Sequence, residues 1–245
     1  MSNTRIAWLT ANDPPEAFPP VETASREPDG LLAAGGDLSV ERLLCAYRRG
    51  IFPWYDEGQP VLWWSPDPRC VFEKGDLHVS RRLRRELRHS QAEVRFNTAF
   101  ADVIRACAGP RRYEQGTWIT SDMIVAYERL HQAGWAHSIE IWQDDTLIGG
   151  LYGLIIGRAL FGESMFSLRS NASKIALLTL DCMLADETIG IIDCQLQSNH
   201  LLTMGASVIH RAGFVRKLGA LCEPPSRFEN WPDDPISACE LLPDQ

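Results

Sequence analysis

The stretch 137-HSIEIWQDDTLIGGLYGLIIGRALFGE-163 decides the fold class. His137 to Trp142 alternates apolar and polar residues with the period of a half-buried strand. Gln143-Asp144-Asp145 supplies a turn, and the strand pattern resumes over Leu147 to Gly153 and Ile155 to Glu163. Three successive strands with short connections predict an antiparallel meander. Downstream, Asn171 to Ala185 carries Ile175, Leu178 and Cys182 at helical spacing, and Gly190 opens a short apolar strand, Ile191 to Gln195. Upstream, Ser80 to His89, Phe96 to Ala108 and Ser121 to Ala133 read as helices, the last closed by Gly134. Meander, helix and a further strand predict a mixed α/β (α+β) layer rather than a doubly wound parallel sheet.

Toward the N-terminus the texture changes. Residues 1–30 carry Pro14-Pro15 and Pro19-Pro20 and read as an extended lead-in. Asp37-Leu38-Ser39 starts a helix with apolar Leu43, Leu44 and Tyr47, which Gly50 ends. The next stretch, GIFPWYDEGQPVLWWSPDPR, sets tryptophans among turn residues. These shifts divide the chain into a small N-terminal domain (1–70), a second domain (71–221) and an acidic C-terminal segment (222–245). Six acids against Arg227 give the last segment a charge of −5, so residues 1–221 hold only −3 of the total of −8.

With 245 residues, 45% hydrophobic and 23% charged, the composition excludes a disordered chain. No apolar run reaches the roughly 18 residues of a membrane helix. The opening residues lack the charged, apolar and small-residue pattern of a secretory signal, so a cytosolic protein without membrane contact is expected. Seven cysteines with no C-x-x-C pair argue against structural zinc and a disulfide framework. Neither G-x-x-x-x-G-K-[ST] nor G-x-G-x-x-G occurs. The expectation is no metal and no cofactor.

The segment SRRLRRELRH (80–89) holds five Arg and one Glu. On a helix, Arg81, Arg84, Arg85 and Arg88 share an arc of about 100°, with Leu83 and Leu87 opposite. The face is either solvated or a phosphate-binding surface, as for nucleic acid; a single acid to pair with, and arginines in the first turn, weaken the solvated reading and leave the two in balance. Trp54, Trp63, Trp64 and Trp118 are core residues or, near a basic face, platforms for unstacked bases. Glu163 is either an exposed strand-end acid or a partly buried carboxylate awaiting a cation. Strand alternation sets Asp193 and Gln195 on one face and Cys194 on the other, so the pair either closes the strand or shares a site. A Cys194 nucleophile with His200 or His137 as base lacks an orienting partner. GESMFS (162–167) lacks the second glycine of a serine-hydrolase elbow.

The motifs GLLAAGGDLS, GIFPWY, LWWSPDPR, GTWIT, AHSIEIW, GGLYG, FGESMFS, NASK and IDCQ, in this order over about residues 18–215, resemble bacterial leucyl/phenylalanyl-tRNA–protein transferases. The resemblance implies a small N-terminal domain packed on a GNAT-like domain, and the acetyl-CoA pyrophosphate loop of true acetyltransferases is not visible. It implies transfer of Leu or Phe, and less readily Met, from aminoacyl-tRNA to proteins beginning with Arg or Lys, marking them for degradation. By motif, Trp54 and Trp118 line the site for the terminal adenosine, Glu163 lies at the reaction centre, and Asp193 and Gln195 form the catalytic pair. Leu151, Leu160, Met165, Leu177, Leu180, Leu184 and Ile192 correspond to the aminoacyl pocket. Departures from the pattern fall at Ser198, Val208 and His210. The expected roles are an acceptor-side anion for Glu163 and, for Asp193, a hydrogen bond to the Gln195 side-chain amide. Alternatives are a tRNA-binding protein without transfer activity and a CoA-dependent N-acetyltransferase.

Overall fold

The computed structural model describes residues 6–109, 118–224 and 226–242. Gly116 and Thr117 of GTWIT, and Asp244 of the acidic segment, lie outside the described residues. The N-terminal part is built from β1 (Ala7–Leu9), β2 (Leu31–Gly35), α1 (Val40–Arg48), β3 (Phe52–Pro53) and β4 (Leu62–Trp64). Its strands form a four-stranded sheet in the order β1-β2-β4-β3. The Ser39 hydroxyl accepts from the Arg42 N–H and starts α1; Gly50, at φ +73°, takes the chain out of it. The buried Arg42 guanidinium donates to the carbonyls of Thr10, Asp13 and Pro14 and pairs with Asp37, which fixes the Pro-rich lead-in. Trp63 is fully buried and donates its indole N–H to the Gly35 carbonyl at 2.8 Å.

The rest of the chain forms β5 (Arg69–Phe72), α2 (Arg81–Leu87), β6 (Glu93–Phe96), α3 (Phe100–Ala108), α4 (Ser121–Gln132), β7 (Ala136–Gln143), β8 (Thr146–Ile156) and β9 (Ala159–Ser167). It continues through α5 (Ala172–Ala185), β10 (Ile191–Asp193), α6 (Asn199–Thr203), β11 (Ser207–Ile209), α7 (Arg211–Leu221) and β12 (Ile236–Ser237). These strands make an eight-stranded sheet in the order β11-β5-β10-β9-β8-β7-β6-β12, with β10 parallel to β9 and the other pairings antiparallel. The architecture is mixed α/β, as the alternating patterns predict. Apolar residues of α3, α4, α7 and the N-terminal part pack in one core cluster, and those of α2 and α5 in another.

Several boundaries differ from the sequence reading. The break expected near Leu154 is absent: β8 runs on to Ile156, and the turn falls at Gly157-Arg158. Gly157 supplies the positive φ of +59°, while Gly153 lies within the strand, at a place where a side-chain carbon would collide with the Phe161 carbonyl. The helix expected from Phe96 begins at Phe100, since Phe96 pairs in β6 and Asn97 turns the chain at φ +59°. The strand expected through Gln195 ends at Asp193. β5 crosses position 70 and belongs to the large sheet. In the acidic segment, β12 pairs with β6, Trp231 packs on Phe96 and His137, and Ala238 and Leu241 are buried. Among the described residues no helix is long and apolar enough to cross a membrane.

Candidate active site

β10 accompanies β9 only as far as the pair Asp193–Phe161. Beyond it the chain turns away at Gln195, whose φ is +55°, while β9 continues to Ser167. The strands part, and a cavity of about 500 Å³ opens there, within the range of sites that hold small organic groups. Leu151, Met165, Leu177, Leu180 and Ile192 give it an apolar wall. Trp54, which is exposed, and the half-buried Trp118 also line it. Glu163, Gln195, Ser198 and His200 supply polar groups. Leu160 and Leu184 do not line the cavity; both are buried in the core cluster shared with its wall. The tryptophans expected to act together divide, since Trp63 is core and Trp64 packs on Trp54 at 5.7 Å.

A β-bulge sets the direction of Glu163. Tyr152 pairs with Ser164 and Gly153 with Gly162, so Glu163 is the extra, unpaired residue of β9. Such a bulge re-aims a side chain and turns the following residues to the opposite face. Met165 accordingly joins Leu151 in one core cluster while Phe161 belongs to the other. Of the two readings, Glu163 is the partly buried carboxylate, and two phenols hold it: Tyr47 donates to Oε1 at 2.7 Å and Tyr127 to Oε2 at 2.9 Å. The two tyrosine hydroxyls also touch each other. Burial pushes the Glu163 carboxyl up to about 7, against the lowering effect of the two phenol hydrogen bonds. Asp193 adds to the rise, and Arg69 opposes it.

Asp193 and Gln195 do not share a strand face. Both Asp193 oxygens meet the Arg69 guanidinium, at 2.8 and 2.7 Å, and both side chains are fully buried. Oδ1 also accepts the backbone N–H of Gln195 at 2.9 Å, which holds the left-handed turn. The expected bond from the Gln195 side-chain amide to Asp193 is therefore not formed: the positive φ points that amide toward Glu163 Oε1, 3.5 Å away. Arg69 in turn donates to the Gly50 carbonyl at 3.0 Å and lies over the rings of Phe52 and Phe214. The pair ties the N-terminal part to β5, β10 and α7.

Cys194 lines the cavity, but burial first, then Cys70 and Asp193, raise its thiol well above the ordinary cysteine value, which keeps it protonated. His137 lies elsewhere, beside Phe228 and Trp231. Ser198 caps α6 through the Leu201 N–H, Val208 is exposed on β11, and His210 approaches Asp67 at 3.4 Å. On α2, Ser80 caps the helix as expected. Glu86 pairs with Arg82, which stands outside the basic arc. Arg81, Arg85 and Arg88 are exposed and Arg84 is half-buried, and no ion pair among the described residues engages any of the four. Sequence reasoning missed Tyr47, Tyr127 and Arg69. The available signal for the tyrosines was a phenol on the buried face of each of two helices, since a buried tyrosine hydroxyl needs a partner.

Two family models match this chain: leucyl/phenylalanyl-tRNA protein transferase over residues 71–219, and the N-terminal domain of the same family over residues 36–67. The chain belongs to the leucyl/phenylalanyl-tRNA protein transferase family. Among proteins bearing the family's name, that of Stutzerimonas stutzeri is 55% identical over 90% of this chain and 97% of its own length. That of Aromatoleum aromaticum is 59% identical over 87% of this chain and 89% of its own. Among solved structures, a GCN5-related N-acetyltransferase from Kribbella flavida aligns at 11% identity and a TM-score of 0.37, over 66% of this chain and 57% of that one. Tyr47 and Trp54 fall within the transferase family's N-terminal match and Trp118, Glu163, Asp193 and Gln195 within the main one, so the cavity draws on both.

Proposed function

We propose that this protein transfers Leu or Phe, and less readily Met, from aminoacyl-tRNA to the α-amine of proteins that begin with Arg or Lys, marking them for degradation in the cytoplasm. The observation that carries the reading is the cavity: in a chain of this family, an apolar chamber ends in a carboxyl and a carboxamide. The donor side chain occupies the wall of Leu151, Met165, Leu177, Leu180 and Ile192, with Leu160 and Leu184 supporting it from the core. The terminal adenosine packs against Trp54 and Trp118, an arrangement suited to an unstacked base. Arg81, Arg84, Arg85 and Arg88 take tRNA phosphates, which position the acceptor stem without reading its sequence.

An aminoacyl ester is already activated, so holding the amine against its carbonyl carbon accounts for much of the required acceleration. Gln195 orients the amine or the carbonyl through its side-chain amide, and Asp193 fixes the backbone on which Gln195 stands. The test is incubation with labelled Leu-tRNA and peptides that begin with Arg or Glu, with labelled acetyl-CoA in a parallel reaction. Leucine appears on the Arg peptide alone. Acetylation of either peptide, or tRNA binding without transfer, defeats the proposal.

A further inference from the structure

We propose that Glu163 is the catalytic proton carrier of the transfer, with Tyr47 and Tyr127 as positioning residues that hold it in a three-membered hydrogen-bonded ring; this rests on the transfer reading above. Three elements distant in sequence converge here: α1, α4 and the bulge of β9. The ring is made by Tyr47 to Oε1, Tyr127 to Oε2 and hydroxyl to hydroxyl. Each of these bonds needs one proton, and two phenols supply only two. The ring therefore closes fully when the carboxyl carries the third. When Glu163 is ionised, both phenols donate to it and the bond between them opens. Either state keeps two hydrogen bonds on the carboxyl, so a proton arrives or leaves without the side chain being released.

The neighbouring charged groups are committed elsewhere. Arg69 and Asp193 are bound to each other, Gln195 does not titrate, and the Cys194 thiol stays protonated. Tyr152 is the third phenol beside the ring, its aromatic centroid 5.5 Å from that of Tyr127. Among the described residues, His200, exposed on α6, is the remaining titratable group lining the cavity. Burial and these neighbours leave the Glu163 carboxyl at about 7, where both forms are populated at working pH. In the transfer, the neutral amine attacks the carbonyl carbon and a C–N bond forms. The amine proton passes to the Glu163 carboxylate and then to O3′ as the ester C–O bond breaks. The amide and a tRNA with a free 3′-hydroxyl leave, and Glu163 is ionised again.

Single-turnover transfer from Leu-tRNA to an Arg peptide, measured from pH 5.5 to 9, tests this. Both the acceptor amine and Glu163 must lose a proton, so below pH 7 the logarithm of the parent rate climbs with a slope of about two. Glu163→Gln, nearly isosteric, binds tRNA normally, loses about 10²–10⁴-fold in rate and keeps a slope of about one. Tyr47→Phe and Tyr127→Phe each remove a hydrogen bond that lowers the carboxyl, so the break in slope moves to higher pH, a shift that merely loosened packing does not produce. A Glu163→Gln enzyme with parental rate and slope overturns the proposal, as does a second titration that persists there and vanishes in His200→Ala. A parent that moves no leucine fails the transfer reading itself and takes this proposal with it; a parent that transfers leaves the outcome to the variants.

Discussion

Replacing Asp193 should cost stability before it costs chemistry. In the native state its carboxylate receives two guanidinium bonds from Arg69 and one backbone N–H, and both side chains are fully buried. Asp193→Ala leaves a buried guanidinium with only the Gly50 carbonyl and two aromatic faces. Breaking one side of a buried, hydrogen-bonded pair costs roughly 3–5 kcal/mol, mostly because the remaining charge stays out of water. For a domain of this size each 1 kcal/mol moves the midpoint by about 2–4 °C, so melting should fall by about 6–20 °C. Urea unfolding of the parent, Asp193→Ala, Arg69→Met and the double variant supplies the assay. The double variant has no stranded charge, so its loss should be well below the sum of the two single losses. Single losses under about 1 kcal/mol, or strict additivity, would refute the view that Asp193 acts first as an anchor for the Gln195 turn. Activity of these variants has to be read well below their melting points, where the folded fraction is equal.

The other predictions concern separate parts of the molecule. Burial, with a smaller contribution from His131, lowers His137 to about 4, so the folded state binds fewer protons than the unfolded chain between that value and 6.5. This contribution is fully present above pH 6.5 and is lost as pH falls through about 4, on the order of 3 kcal/mol; urea midpoints should drop over that range in the parent and less in His137→Leu, and equal drops contradict it. Arg84→Ala/Arg85→Ala should weaken tRNA binding and lower the salt slope by about one for each phosphate no longer neutralised. Unchanged affinity and slope mark the face as merely solvated. Cys194→Ala should keep most activity because its raised thiol is a poor nucleophile; a dead variant, with an aminoacyl thioester trapped on the parent, speaks for covalent catalysis instead.

The elements were largely legible in local pattern, while the site depended on long-range packing that pattern does not encode. Ser39, Ser80 and Gly50 mark helix ends because capping chemistry is local. The meander is visible from alternation and the Asp144-Asp145 turn, whose residues both adopt positive φ as a tight hairpin requires. Alternation fails at Glu163 because an extra residue in one strand is invisible until its partner strand is known. It fails again at Gln195, where the strand ends and a left-handed residue redirects the side chain. Tyr47 reads as one more apolar-face residue of its helix; its partner lies 116 positions away, and only the packing of α1 on the large sheet joins them. Arg69 closes a turn-rich stretch with no local pattern to mark it, yet it holds Asp193 across 124 positions.

Donor selectivity tests most directly the central claim, that the chamber between β9 and β10 receives the donor's side chain. Transfer to an Arg peptide is measured with Leu-, Phe-, Met- and Lys-tRNA for the parent and for Leu177→Trp, whose new ring fills the chamber, with tRNA affinity and melting temperature taken alongside. The parent should use Leu and Phe, accept Met more slowly within the roughly 1–3 kcal/mol that a methylene-sized difference supplies, and reject Lys. Leu177→Trp should lose Phe and Leu transfer while still binding tRNA. Efficient use of Lys-tRNA by the parent, or a filled chamber that leaves Phe transfer untouched, contradicts the claim.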